Sequence, residues 1–373
     1  MNHRESPKKS LAMKTIGIIV LTLMLSFAVV APFAIGQERL PGSEPLAVPT
    51  LEPYTPYTIW LGDFGTKAGD WTTQEAFPRL LGDVNGDGMD DIVGFGTHNV
   101  LVSLSQGDHF AAKEIWLARS FCAITGWTSF DVYPRCLADV NGDGMDDIIG
   151  FGYKNVFVAL SNGTGFDPQQ AWLEGSLCRI KGWSSQNIYP RMFGDLNGDG
   201  KEDIVGFGEK AICVVLSSGS GFGAQEVWLW DSLCRSKGWT SQNVYPRMLA
   251  DVTGDGQADI VGFGQQAICV APSLGDHLGA QEIWQWNGYC QVTGWSTWDR
   301  YPRFLGDVNG DGRADVVGLG SLVIQGSLST GTLFEERATW GVRSFCHISG
   351  WSGQNIYPRF LADVTGDGKA DLV

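Results

Sequence analysis

The chain has 373 residues, 43% of them hydrophobic and 18% charged, with a formal charge of −15. That is ample apolar material for a sizeable core, and the acidic balance gives no footprint for nucleic acid. Fifty glycines and few helix-length apolar stripes point to an all-β protein rich in turns.

The N-terminal segment reads as a secretion signal. Lys8, Lys9 and Lys14 precede an apolar run from Thr15 to Ile35, and Ala34-Ile35-Gly36 offers small residues for cleavage after Gly36. The alternative is an uncleaved anchor, because the run approaches the ~20 residues that span a bilayer. No other stretch could cross a membrane, so the mature chain is expected to be secreted. Residues 37–56 hold five prolines and no periodic pattern, and read as a linker.

From residue 57 to 373 the chain is a repeat. Asp83-Val-Asn-Gly-Asp-Gly-Met-Asp-Asp-Ile-Val-Gly-Phe-Gly96 returns as near copies from Asp139, Asp195, Asp251, Asp307 and Asp363, 56 residues apart each time. One unit divides into four short strands, at 79–84, 91–95, 99–104 and 113–117. Four antiparallel strands in a unit of this length predict a blade of a β-propeller. Residues 57–61 match an orphan fourth strand that would seal the ring and remove an exposed edge. Val373 falls within strand two of the sixth unit. A seven-bladed ring cut short at the C-terminus is therefore expected.

Each unit carries a turn with side-chain oxygen at positions 1, 3, 5 and 9 and a carbonyl available at position 7. The sets are Asp83, Asn85, Asp87, Met89 and Asp91; Asp139, Asn141, Asp143, Met145 and Asp147; Asp195, Asn197, Asp199, Lys201 and Asp203; Asp251, Thr253, Asp255, Gln257 and Asp259; Asp307, Asn309, Asp311, Arg313 and Asp315; and Asp363, Thr365, Asp367, Lys369 and Asp371. Hard oxygen donors on a tight glycine turn suit Ca²⁺, and up to six structural ions are expected. The competing reading is a set of Asx turns that cap hairpins without metal. The Glu of a twelve-residue EF-hand loop is missing, so the sites should be weak, on the order of 10⁻⁴ to 10⁻³ M. The loops with Thr253 and Thr365 should be the weakest.

A second set recurs in the long loops. It comprises Trp127, Trp183, Trp239, Trp295 and Trp351; Tyr133, Tyr189, Tyr245, Tyr301 and Tyr357; and Arg135, Arg191, Arg247, Arg303 and Arg359, with Trp71 and Arg79 as the equivalents in the first unit. Indole faces suit sugar C–H groups, and guanidinium forks suit hydroxyls or a carboxylate. Gln186-Asn187, Gln242-Asn243 and Gln354-Asn355 add amides nearby. Packing between blades would use the same residue types. The outer-strand tryptophans, Trp60, Trp116, Trp172, Trp228, Trp284 and Trp340, read as packing residues. Of eight cysteines, Cys122, Cys178, Cys234, Cys290 and Cys346 share one repeat position, which is too far from blade to blade for a disulfide. They read as small buried hydrophobes, with a bridge such as Cys213 to Cys234 left open. The five histidines do not recur, and no nucleophile, phosphate or dinucleotide motif is present, so no enzyme is expected.

The form Arg-x-Leu-Gly/Ala-Asp-Val-Asn/Thr-Gly-Asp-Gly-x-x-Asp-Ile-Val-Gly-Phe-Gly resembles the FG-GAP/VCBS repeat propellers, related to the integrin α-subunit head, and more closely the Psathyrella velutina lectin group. That resemblance implies a calcium-binding ring that takes N-acetylglucosamine or sialic-acid-type sugars between blades. It also implies partners among glycans or cell-surface proteins, with a monomer expected. An adhesion module of integrin type and the non-catalytic propeller of a larger secreted enzyme are the alternatives.

Overall fold

The computed structural model describes residues 58–69 and 71–373; the expected signal at 1–36 and linker at 37–56 lie outside them. Five four-stranded antiparallel sheets follow one another, each with its strands in sequence order. The first blade has strands Arg79–Gly82, Asp91–Phe95, Asn99–Ser103 and Glu114–Ala118. Blades two to five repeat it at 135–174, 191–230, 247–286 and 303–342. A bulge falls at the same place between strands three and four of every blade. After each fourth strand comes one turn of 3₁₀ helix, closed by a left-handed glycine such as Gly182.

The core lies between blades rather than within them. Val205, Phe207 and Ile212 of blade three share one buried cluster with Ile260, Ala271 and Leu278 of blade four. Burying the larger of these side chains is worth roughly 1.5–3 kcal/mol each. It also explains the continuous apolar runs such as Asp-Ile-Val-Gly-Phe, because both faces of each sheet are covered. The glycine inside that run is required. A Cβ on Gly262 would lie 2.5 Å from the Trp239 ring, and the equivalent Gly150 is as tight against Trp127.

The ring closes in six steps where seven were expected. Ser161 Oγ donates to Val84 O at 2.5 Å, Ser217 to Val140 O and Ser273 to Leu196 O at 2.6 Å. Ser105 of blade one makes the same bond to Val364 O, at 2.6 Å. Likewise Ala258 N donates to Asp195 O, and Asp90 N to Asp363 O, both at 2.7 Å. The sixth unit thus meets the first as any neighbours meet, which leaves no place for a seventh. It contributes two strands, Leu361–Ala362 and Asp371–Leu372. Residues 58–61 are not a paired strand, yet Trp60 packs at a tilt against Phe110 with ring centres 5.6 Å apart, as Trp116 does against Phe166.

All eight cysteines are free, and the suggested Cys213–Cys234 bridge does not form. Burial pushes the Cys136 thiol up to about 12. At pH 8 its thiolate fraction would be ~10⁻⁴, so alkylation of this half-buried thiol should be slow in the folded protein and fast after unfolding. Mass spectrometry after iodoacetamide treatment checks this; rapid labelling of Cys136 in the native protein would contradict it.

Candidate ligand clefts and acidic loops

The recurring arginines do not face a ligand, which corrects the expectation for Arg135, Arg191, Arg247, Arg303 and Arg359. They are 0–1% exposed. Arg247 Nη1 donates to Leu233 O at 3.2 Å, its Nε donates to Gln242 Oε1 at 3.0 Å, and its Cζ lies 5.0 Å from the Phe207 ring centre of the preceding blade. Arg191 and Arg359 repeat the pattern through Gln186 and Gln354. Desolvation pushes Arg247 and Arg303 down to about 9 and Arg135 and Arg191 to about 10. These side chains clamp the long loops onto the inner strands. The neighbouring asparagines join loop to loop: Asn243 N donates to Asn187 Oδ1, and Asp299 N to Asn243 Oδ1, each at 2.9 Å.

Trp127, Trp183, Trp239 and Trp295 are mainly packing residues, buried on the strand-two glycines, while Trp351 is half-buried. The tyrosines stand edge-on to them with ring centres 6.2–6.4 Å apart and remain partly exposed, Tyr357 most of all. Trp and Tyr form one wall of a cleft, and the turn between strands two and three forms the other. In blade four Trp239 and Tyr245 face Gln265, Gln266 and Cys269 across about 420 Å³. The same place in blade three holds about 370 Å³, and in blade one about 300 Å³.

Polar groups at the cleft rim differ round the ring. Tyr189 hydroxyl donates to Glu209 Oε2 at 2.9 Å, and Arg235 Nη1 donates to the same oxygen at 2.8 Å. These bonds, Arg235 first, hold the Glu209 carboxyl below its ordinary range. Tyr245 donates to Gln291 Oε1 at 2.9 Å, Arg179 Nη1 donates to Tyr133 at 2.7 Å, and Tyr301 meets the His347 ring at 6.0 Å. Sequence reasoning passed over Trp230 and Trp286, which stand 65% and 62% exposed at the ends of the fourth strands of blades three and four. The signal was the exposed end of an outer strand; it was missed because only two units carry it.

The acidic turns are held by their own backbone. Asp83 Oδ1 accepts from Gly86 N at 2.7 Å and Oδ2 from Gly88 N at 2.8 Å, with both glycines at positive φ. Asn85 Nδ2 donates to Asp87 Oδ2 at 2.9 Å. The ninth-position carboxylates lie under the turn: Asp91 is fully buried and accepts from Ser105 N at 2.7 Å and Val84 N at 3.3 Å. Burial, then repulsion from Asp87 and Asp83, pushes Asp91 up to about 7; the same causes take Asp147 to about 8. Among the described residues, no three Asp, Glu, His or Cys side chains already converge on one point. The donor chemistry fits a hard cation, since each turn gathers carboxylate, carbonyl and amide or hydroxyl oxygens within nine residues. Asn85 Oδ1 accepts from Asp87 N at 3.0 Å and keeps a second lone pair for a cation.

An FG-GAP-like repeat model matches residues 139–205 and 195–262. A solved lectin from Agrocybe aegerita, described as recognising non-reducing terminal N-acetylglucosamine, is 34% identical with a TM-score of 0.67, covering 83% of this chain and 77% of that one. The Photorhabdus luminescens Tc holotoxin pore is 19% identical with a TM-score of 0.54, over 79% of this chain and 13% of that one, and shares the fold alone. A comparison with curated proteins found no match. No helix among the described residues is long and apolar enough to cross a membrane. From the 56-residue blades, the closed ring and the identity to the lectin, the chain belongs to the FG-GAP-like repeat β-propellers, in the group that includes the Agrocybe lectin.

Proposed function

We propose that this propeller is a secreted, non-catalytic carbohydrate-binding protein that takes N-acetylglucosamine-type sugars in its outer clefts. The observation that carries the reading is one aromatic-walled cleft recurring at the same place in blades one, three and four of a ring 34% identical to a lectin. An apolar ring face with a few fixed polar groups suits a pyranose, which is apolar on its faces and polar at its rim. Several such sites on one rigid ring gain avidity for clustered glycans. Sialic-acid-type sugars are the second ligand class. In blade three Lys181 and Lys210 would attract their carboxylate while Glu209 opposes it, and in blade four Lys237 would attract it beside the neutral glutamines.

A glycan array on the calcium-loaded protein tests this. Signal is expected for terminal N-acetylglucosamine, stronger on dense than on sparse spots. No signal for any clustered sugar would contradict it and turn the reading toward a protein-binding module of integrin type.

The acidic turns, we further propose, bind Ca²⁺ through Asp83, Asp87 and Asp91, Asn85 and the Met89 carbonyl, and through their equivalents. The support is six hard-oxygen donor sets with carboxylates that repel one another when no cation sits between them. These ions would be structural, and would fix the turns that join neighbouring blades.

A further inference from the structure

Taking the carbohydrate-binding reading as given, the clefts are not equal. Three positions decide their shape. The first, on strand three, is Leu101, Phe157, Cys213, Cys269 and Gln325 in blades one to five. In blade two Phe157 turns inward and meets Trp127 edge-on at 6.3 Å. In blade five Gln325 accepts from Arg337. In blades three and four the small Cys213 and Cys269 line the cleft floor instead.

The other two positions are a cross-strand pair at the cleft mouth. It reads Asn99–Ala118, Asn155–Glu174, Ala211–Trp230, Ala267–Trp286 and Val323–Val342. Only blades three and four pair a small alanine with a tryptophan. Trp230 lines the cleft of its blade directly, and Trp286 stands in register with Ala267, which lines the next. A tryptophan left about two-thirds exposed has an indole face free for a ligand. Depth and platform therefore change together, in adjacent blades.

We infer that blades three and four hold the two principal sugar sites, with Trp230 and Trp286 as stacking platforms and Cys213 and Cys269 providing depth. The ligand class is a neutral hexosamine: one sugar face lies on the indole, and its hydroxyl or acetamido groups reach Tyr189 and Glu209 in one site, Tyr245 and Gln265 in the other. The remaining clefts are shallower and bind more weakly.

Isothermal titration of the full chain with tri-N-acetylchitotriose tests the assignment. Two sites per chain are expected. Trp230→Ala and Trp286→Ala should each remove one, and the double variant should bind at least tenfold more weakly. Both side chains are exposed, so melting temperatures should stay near that of the parent protein. Cys213→Phe, which copies blade two, should close the third-blade site and leave the fourth. Five or six equal sites, or a double variant that binds like the parent, would overturn this assignment while leaving the lectin reading intact. A parent protein that binds no sugar would overturn both.

Discussion

Arg247→Ala is expected to cost about 3–5 kcal/mol of stability, measured by urea or thermal unfolding. Three losses add. A large side chain leaves a cavity in the wedge between blades three and four. Leu233 O loses its side-chain donor in a buried place, and Gln242 Oε1 keeps only the Arg247 backbone N–H. The Phe207 ring loses its cation. The guanidinium has no carboxylate partner, so its own desolvation offsets part of the gain, and a methionine of similar volume should cost much less than alanine. Arg247→Lys separates the clamp from the ligand role assigned to it by sequence. A folded lysine variant with lower stability and unchanged sugar affinity fits the clamp. A stable variant that has lost sugar binding would restore the ligand role, and an alanine variant within about 1 kcal/mol of the parent would remove the clamp.

Chelation should have a larger effect. With sites of 10⁻⁴ to 10⁻³ M, 10 mM Ca²⁺ stabilises by about 1.4 to 2.7 kcal/mol for each occupied loop, so six loops together outweigh any single contact. EDTA is expected to lower the melting temperature by more than about 10 °C. The pH dependence has a definite sign. Asp91 and Asp203 titrate at about 7 and Asp147 and Glu202 at about 8 in the folded chain, chiefly through burial, against ordinary values of 3.8 for Asp and 4.5 for Glu. Between those limits the folded state binds more protons than the unfolded one. Without calcium, stability should therefore be greatest near pH 4 and fall as pH rises to about 8. Calcium favours the ionised carboxylates and should flatten that fall. Melting curves in EDTA and in calcium across this range check both effects. Identical curves in the two would contradict calcium in the loops.

The period, the four strands and the ring were legible because a 56-residue repeat imposes one supersecondary unit, and strand two announces its double burial by its unbroken apolar run. The number of blades was not. It depends on the angle at which sheets pack, and the decisive contact joins Asp363 to Asp90, positions equivalent to those that join neighbouring blades, whose pairing across the ends of the chain the period alone does not specify. The arginines were misread for a related reason. A buried cation without an acid partner is rare, and what holds Arg247 is backbone carbonyl oxygen and a glutamine, which residue types alone do not reveal. Trp230 and Trp286 escaped because repetition was the guide to function. Repetition marks what every blade needs in order to stack, whereas a binding position can be confined to two blades.

A crystal structure of the calcium-loaded protein with tri-N-acetylchitotriose tests the central claim most directly. The expected result is a sugar ring lying on Trp230 beside Tyr189, and a second on Trp286 beside Tyr245. Sugar bound only in the central channel or on the acidic turns, with both clefts bare, would contradict it.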